Sequence, residues 1–261
     1  MKRVKLIILL VTSLLYPVLG YPNASVTIVC ENDFAPYGYA SNQGTAAGFS
    51  TDIIIASYQA VNIDVNFLVI PYKRGMYMLE YGRMLACYNT NNDQGNLEKH
   101  DFAKKPLFKG EMVIWARSDY HGEMTVSQLI KTGAVIGTTN GYNYDAPGVD
   151  FDYNDKIEKD VAQSVTLTLL KLVKGRYNFA AAEKRVALLA IARNPAELKG
   201  MLKIVGTIAK PGLFLTFSKK FPDSDYYRQR FNVGFGKIKE NGIYRMIEKK
   251  WDILIQNDNL P

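Results

Sequence analysis

The chain has 261 residues, 22% of them charged and 48% hydrophobic, with a formal charge of +7. That length can bury the core of one large domain or of two lobes. Its charges are interspersed without an arginine-rich block, which argues against nucleic acid as a partner. Two cysteines and two histidines, His100 and His121, lie at no metal-ligand spacing, and no cofactor-binding motif occurs.

The first twenty residues read as an export leader. Lys2, Arg3 and Lys5 precede the apolar run "LIILLVTSLL", which is short for a membrane span, and "VLG" offers a cut near Tyr21. No Cys near that junction could carry a lipid. Removal of residues 1–20 leaves 29 basic against 25 acidic residues, a formal +4. The mature chain is then expected in the periplasm.

"SVTIVC" from Ser25 to Cys30 predicts a buried strand, followed by the turn-rich "ENDFAPYGYASNQGTAAG". Phe49 to Val61 has apolar residues at helical spacing, with Ser50 or Thr51 as the N-cap and Asp52 favouring the helix dipole. "IDVNFLVIP" predicts a second strand, "YKRGMYMLEYGR" a short helix stopped by Gly82, and "MLACYN" a third strand. This order describes parallel βαβ units. "YNTNNDQGNLEKHDF", from Tyr88 to Phe102, then carries a single apolar residue, Leu97, between its end aromatics. Connections of that length in compact domains are functional or disordered.

The second half repeats the style. "TVSQLIKTG" predicts a helix, "AVIGTT" a strand, and "NGYNYDAPGVDF" a loop opening onto a helix. "SVTLTLLKLVKG" predicts an amphipathic helix stopped by Gly175. "YNFAAAE" is a strand, "KRVALLAIARN" a helix and "LKIVGTI" a strand. "GLFLTFSKKFP" adds a strand before two terminal helices. The fold class is α/β throughout, and two α/β halves imply a cleft, where ligands sit beyond the carboxyl ends of parallel strands.

Cys30 and Cys87 close two strands that could be neighbours in a parallel sheet. In an exported chain they are either one disulfide, worth about 4 kcal/mol in the chain-entropy model, or two buried free thiols.

Seven segments in order carry a resemblance: "DFAPYGY", "AGFSTDIIIA", "PYKR" with "YGRMLACY", "DFAKKPLF", "IGTTNGYNYD", "KGRYNFAAAEKRVALL" and "NGIYRMIEKKW". In these the chain resembles the extracellular solute-binding proteins of family 3, polar amino-acid receptors of ABC importers. The resemblance implies a two-lobed periplasmic-binding-protein fold of type II, each lobe a mostly parallel sheet flanked by helices, with two crossover strands as the hinge. Lobe 1 would comprise residues 25–109 plus 212–261, and lobe 2 residues 110–211. It also implies a monomer that delivers its solute to an ABC permease.

Site residues follow from the same resemblance. Phe34 and Tyr37 match aromatic positions that stack on the ligand. Asn89, Thr90 and Asn91 supply polar groups that both donate and accept. Tyr142 and Asn143 belong to lobe 2, where the loop opening onto a helix would form a mild anion seat. Glu183 matches the acid that pairs with an ammonium group. The family's usual carboxylate-gripping Arg falls on Asn96 here, so Lys99 or Arg74 would have to take over that contact.

Three functions fit these readings: a non-enzymatic solute receptor, a dehydratase-type enzyme on the same scaffold, and a ligand-sensing partner of a membrane signalling protein. No nucleophile–base pair is visible, which favours the receptor.

Overall fold

The structure is a computed structural model describing residues 24–145, 151, 152 and 154–256. The expected leader at 1–20 lies outside the described residues. Among the described residues, no helix is long and apolar enough to cross a membrane.

The chain begins with β1 (Ala24–Glu31). Three short strands follow, β2 (Asp33–Phe34), β3 (Gly38–Ala40) and β4 (Ala46–Ala47), pairing into a small antiparallel sheet where the sequence suggests turns alone. Next come α1 (Phe49–Gln59), β5 (Ile63–Ile70), α2 (Tyr72–Glu80) and β6 (Ala86–Asn91). The polar stretch after Tyr88 is ordered: it finishes β6, forms α3 (Gln94–Lys99) and enters β7 (His100–Phe102). The Asp93 carboxylate caps α3 by accepting from Asn96 N at 2.9 Å, which explains a helix with almost no apolar residue.

After β8 (Phe108–Lys109) the chain builds a second sheet. Its elements are β9 (Met112–Arg117), α4 (Val126–Thr132), β10 (Ile136–Thr139), β11 (Lys159–Ala162), α5 (Val165–Val173), β12 (Phe179–Glu183), α6 (Lys184–Arg193), α7 (Pro195–Leu198) and β13 (Leu202–Ala209). It then returns to the first sheet through β14 (Gly212–Ser218), and ends in α8 (Ser224–Glu240) and α9 (Ile243–Gln256).

The first sheet runs β5-β1-β6-β14-β7 with β8 also on β14, and the second runs β11-β10-β12-β9-β13. These are the two lobes of a periplasmic-binding-protein fold. The central strands β6 and β12 are buried at every residue, as strands covered on both faces must be. β5, at the edge, alternates buried Ile63 with exposed Asp64 and Asn66. Helix α8 crosses α1 so closely that a Cβ at Gly234 would sit 1.8 Å from the Ser57 carbonyl oxygen, so only glycine fits.

The chain crosses between sheets twice, at 110–111 and at 210–211. The two crossings are tied: Gly110 N donates to the Pro211 carbonyl at 2.9 Å, and Lys210 pairs with Glu111 at 3.3 Å.

One sequence expectation is corrected, one falls on residues that are not described, and one open alternative is decided. The N-cap of α1 is Gly48, not Ser50 or Thr51. Both hydroxyls are buried inside the helix and reach β6: Ser50 donates to Asn89 Oδ1, and Thr51 bonds the Tyr88 hydroxyl. The helix expected directly after "TTNGYNYD" would begin at residues 146–150, which lie outside the described residues; the next described element is a strand, β11. Finally, Cys30 and Cys87 are both free. β1 and β6 are indeed parallel neighbours, but Val29 is the residue opposite Cys87. Successive strand residues face opposite sides, so Cys30 enters the core with Ile28 and Tyr88, while Cys87 packs with Val29 on the other face. The register forbids the bond.

Candidate functional site

Between the lobes, at the carboxyl ends of β1, β6 and β10, lies a small chamber of about 30 Å³. Lobe 1 contributes Glu31, Phe34, Tyr72, Asn89 and Asn91, and lobe 2 contributes Tyr142, Asn143 and Tyr144. Its lining contains one acid, Glu31, and no basic side chain among the described residues.

Glu31 is the last residue of β1 and is 5% exposed. Burial pushes its carboxyl up to about 8; hydrogen bonding with Tyr142 works against the rise, and the nearby Asp33 carboxylate adds to it. At neutral pH the group is therefore mostly protonated within the chamber. A cationic group placed beside it would favour the ionised form and recover the cost of burying the charge.

Asn89 is aimed by a bulge. Leu215 pairs with Tyr88 and Phe214 with Thr90, leaving Asn89 unpaired with φ +64°. Its Oδ1 accepts from Ser50, and its Nδ2 is buried without a partner. A buried amide donor beside a chamber is suited to a solute oxygen.

The lobes meet directly across the chamber. Asn91 Nδ2 donates to Asn143 Oδ1 at 2.9 Å and to the Asp145 carbonyl at 2.6 Å. The Tyr142 hydroxyl donates to the Asp33 carbonyl at 3.0 Å, and its ring meets Phe34 edge-on at 5.4 Å. Gly141, at φ +81°, brings the lobe 2 backbone against Lys73 of α2, where a Cβ would lie 2.9 Å from the lysine Cβ.

Outside the chamber, a mouth of about 480 Å³ is lined by Lys73, Asn96, Lys99, His100, Tyr142 and Asp152, among others. Burial raises the Asp152 carboxyl to about 6, with the Tyr144 backbone N–H holding it down in part.

Of the residues singled out from the sequence, Phe34, Asn89, Asn91, Tyr142 and Asn143 come together in the chamber. Thr90 is fully buried one layer back, where it accepts the Tyr72 hydroxyl at 3.0 Å and so fixes that ring. Lys99 stands in the mouth, 3.5 Å from Glu80, and Arg74 is exposed on α2 outside both chamber and mouth. Asn96, where the resemblance would put an arginine, donates to both oxygens of Asn91 and steadies it toward lobe 2.

Tyr37 and Glu183 form a separate tie. The Tyr37 hydroxyl donates to Glu183 Oε1 at 3.2 Å, Glu111 N donates to the same oxygen, and Val186 N donates to Oε2 at 2.9 Å. Glu183 thus caps α6 and holds a crossover strand. It borders a different cavity, of about 440 Å³, walled by Tyr37, Phe108, Tyr244 and Trp251. Burial raises its carboxyl, against the donors around it.

Glu31 and Tyr72 escaped the sequence reading. Glu31 looks like an acid opening a turn, and Tyr72 like one more ring of an amphipathic helix. The signal available was position: each stands at a strand or helix end facing the cleft.

The profile of the bacterial extracellular solute-binding proteins, family 3, matches residues 26–253. Among curated proteins none matches the chain. Among solved structures, a histidine kinase sensor domain with similarity to periplasmic binding proteins superposes with a TM-score of 0.75 at 18% identity, covering 88% of this chain and 96% of its own. An ancestral arginine-binding protein bound to arginine gives 0.73 at 20% identity, covering 88% and 99%. The arginine-, lysine-, histidine-binding protein ArtJ from Geobacillus stearothermophilus gives 0.71 at 19% identity, covering 87% and 94%.

Proposed function

The chain belongs to the bacterial extracellular solute-binding proteins, family 3, and on that footing we propose that it captures a small polar solute bearing a cationic group and delivers it to a membrane partner without transforming it. The observation that carries this reading is Glu31, a carboxyl enclosed in the inter-lobe chamber with no basic neighbour in its lining. An ammonium or guanidinium group there would gain a charge-assisted bond in a site shielded from water. The rings of Phe34 and Tyr72 would flank it, and the free Asn89 amide would take an oxygen of the same solute. Neighbours named for binding arginine, lysine and histidine support a cationic class. Delivery to an ABC permease, after export by residues 1–20, completes the proposed role.

The test is a thermal-shift screen of purified protein against amines, basic amino acids, polyamines, sugars and anions. A bound solute raises the melting temperature by mass action. Cationic hits are expected, and Glu31→Gln should remove them. Hits confined to anions or sugars, or cationic hits untouched by that substitution, would overturn the reading.

A second reading is a sensor whose lobe closure is read by a membrane signalling protein. Its support is the direct side-chain bridging of the lobes and the likeness to a kinase sensor domain.

A further inference from the structure

Tyr142 stands where a solute would. With Tyr72 and Asn143 it lines both the inner chamber of about 30 Å³ and the outer mouth of about 480 Å³, so its ring is part of the wall between them. Ligand sites for small organic molecules run from about 300 Å³ upward, and the chamber is some tenfold short of that. What fills the remaining space is the phenol itself. Its ring meets Phe34 at 5.4 Å and 90°, and Tyr72 at 6.3 Å and 87°. Its hydroxyl stands beside the Glu31 carboxyl in the same chamber and donates to the Asp33 carbonyl at 3.0 Å. A lobe 2 side chain therefore makes, with lobe 1, both kinds of contact a bound guest would make there: rings against its body and polar groups around its head.

We infer that Tyr142 is a built-in stand-in for the solute, holding the two lobes together in its absence and swinging toward the mouth when a solute takes its place. This rests on the solute-capture reading and adds its regulation and its selectivity. The solute must replace the phenol on both counts, offering a body that fits against Phe34 and Tyr72 and donors for Glu31 and the Asp33 carbonyl. A solute that supplies only charge, such as a bare inorganic cation, leaves the rings unfilled and does not displace it. The ring has somewhere to go: the mouth beside it is open, and Tyr142 is only half-buried.

The experiment is chemical rescue with p-cresol, the free form of the tyrosine side chain. Small-angle scattering is recorded on wild-type protein and on Tyr142→Ala, each with and without saturating p-cresol. The wild type is expected to be compact and unmoved by p-cresol, because its own phenol fills the place. Tyr142→Ala is expected to expand and then to contract to the wild-type radius when p-cresol occupies the hole. A Tyr142→Ala protein as compact as wild type overturns the inference, and so does an expanded one that p-cresol leaves expanded. Should Tyr142→Ala fail to fold, Tyr142→Phe decides. It keeps the ring and loses the bond to Asp33, so a partial expansion supports the stand-in, and a wild-type radius with unchanged solute affinity overturns it. Because p-cresol is not the solute, rescue succeeds or fails independently of the cation screen.

Discussion

Asn91 of β6 and Asn143 of the loop after β10 are joined at 2.9 Å across the cleft, and the same Asn91 amide nitrogen reaches the Asp145 carbonyl at 2.6 Å. One side chain thus supplies two of the bonds that keep the lobes apposed. Asn91→Ala removes both and leaves Asn143 without that donor. Each such bond contributes about 1 kcal/mol net, so the lobes should open while each stays folded. Hydrogen exchange at residues 139–145 is expected to quicken, with the central strands β6 and β12 unchanged. Uniform quickening throughout would mean that Asn91 supports the fold and not closure.

Glu31 makes the empty protein less stable as pH rises. Its carboxyl ionises near 4.5 when unfolded and near 8 in the closed chamber, so between those values the native state holds more protons than the unfolded one. The stability that Glu31 contributes is complete below about 4.5 and lost as pH climbs through about 8. At about 1.4 kcal/mol per unit the total is on the order of several kcal/mol. The groups facing it, Asp33, Tyr72, Tyr142 and Cys87, include no cation that would reverse the sign. Melting temperature without solute should fall between pH 5 and pH 8.5, and Glu31→Gln should flatten most of the slope. An equally steep fall in that variant would place the titration elsewhere.

Solute binding should show the opposite trend. A cation pairs with ionised Glu31 only, so affinity should rise toward tenfold per pH unit below about 8 and level off above it. Calorimetry in two buffers of different ionisation heat would register the released proton. Affinity that is constant from pH 6 to pH 9 would exclude Glu31 from the contact.

The two thiols should behave as buried, unconnected groups. Burial pushes the Cys30 thiol up to about 12 and drives Cys87 upward as well. A thiol reagent should find neither in native protein and both after unfolding. Reductant should leave the melting temperature where it is, whereas a drop of several degrees would indicate a bond that the register forbids.

Glu183→Ala should act on stability. It removes the cap of α6 and leaves Tyr37 and Glu111 N without their acceptor, a loss of about 1–2 kcal/mol for the cap alone. A urea midpoint unchanged by the substitution would count against this structural role.

The alternation of strand and helix was legible because its punctuation is local. Gly82, Gly133 and Gly175 end α2, α4 and α5 in left-handed turns, and the apolar run that opens β12 announces a strand covered on both sides. The chamber was half legible. Phe34, Asn89, Asn91, Tyr142 and Asn143 follow from the family pattern, while Glu31 and Tyr72 do not, since nothing local separates a site acid from a turn acid. Facing and register are the missing information. Whether Cys30 points at Cys87 depends on one residue of offset between β1 and β6, and the aim of Asn89 on a bulge that no composition signals. Glu183 shows the converse: its place in the pattern was clear, but the donors that occupy it come from Val186, Glu111 and Tyr37, residues up to 146 positions away.

The bond from Gly110 to Pro211 has a mechanical outcome. Two tethers fastened side by side would bend together as a ribbon and resist twisting, so halves that part would scissor along one arc with little freedom to slide. Each return along that arc would bring Asn143 back to Asn91 in the same alignment. A single thread would have left every docking to a fresh search.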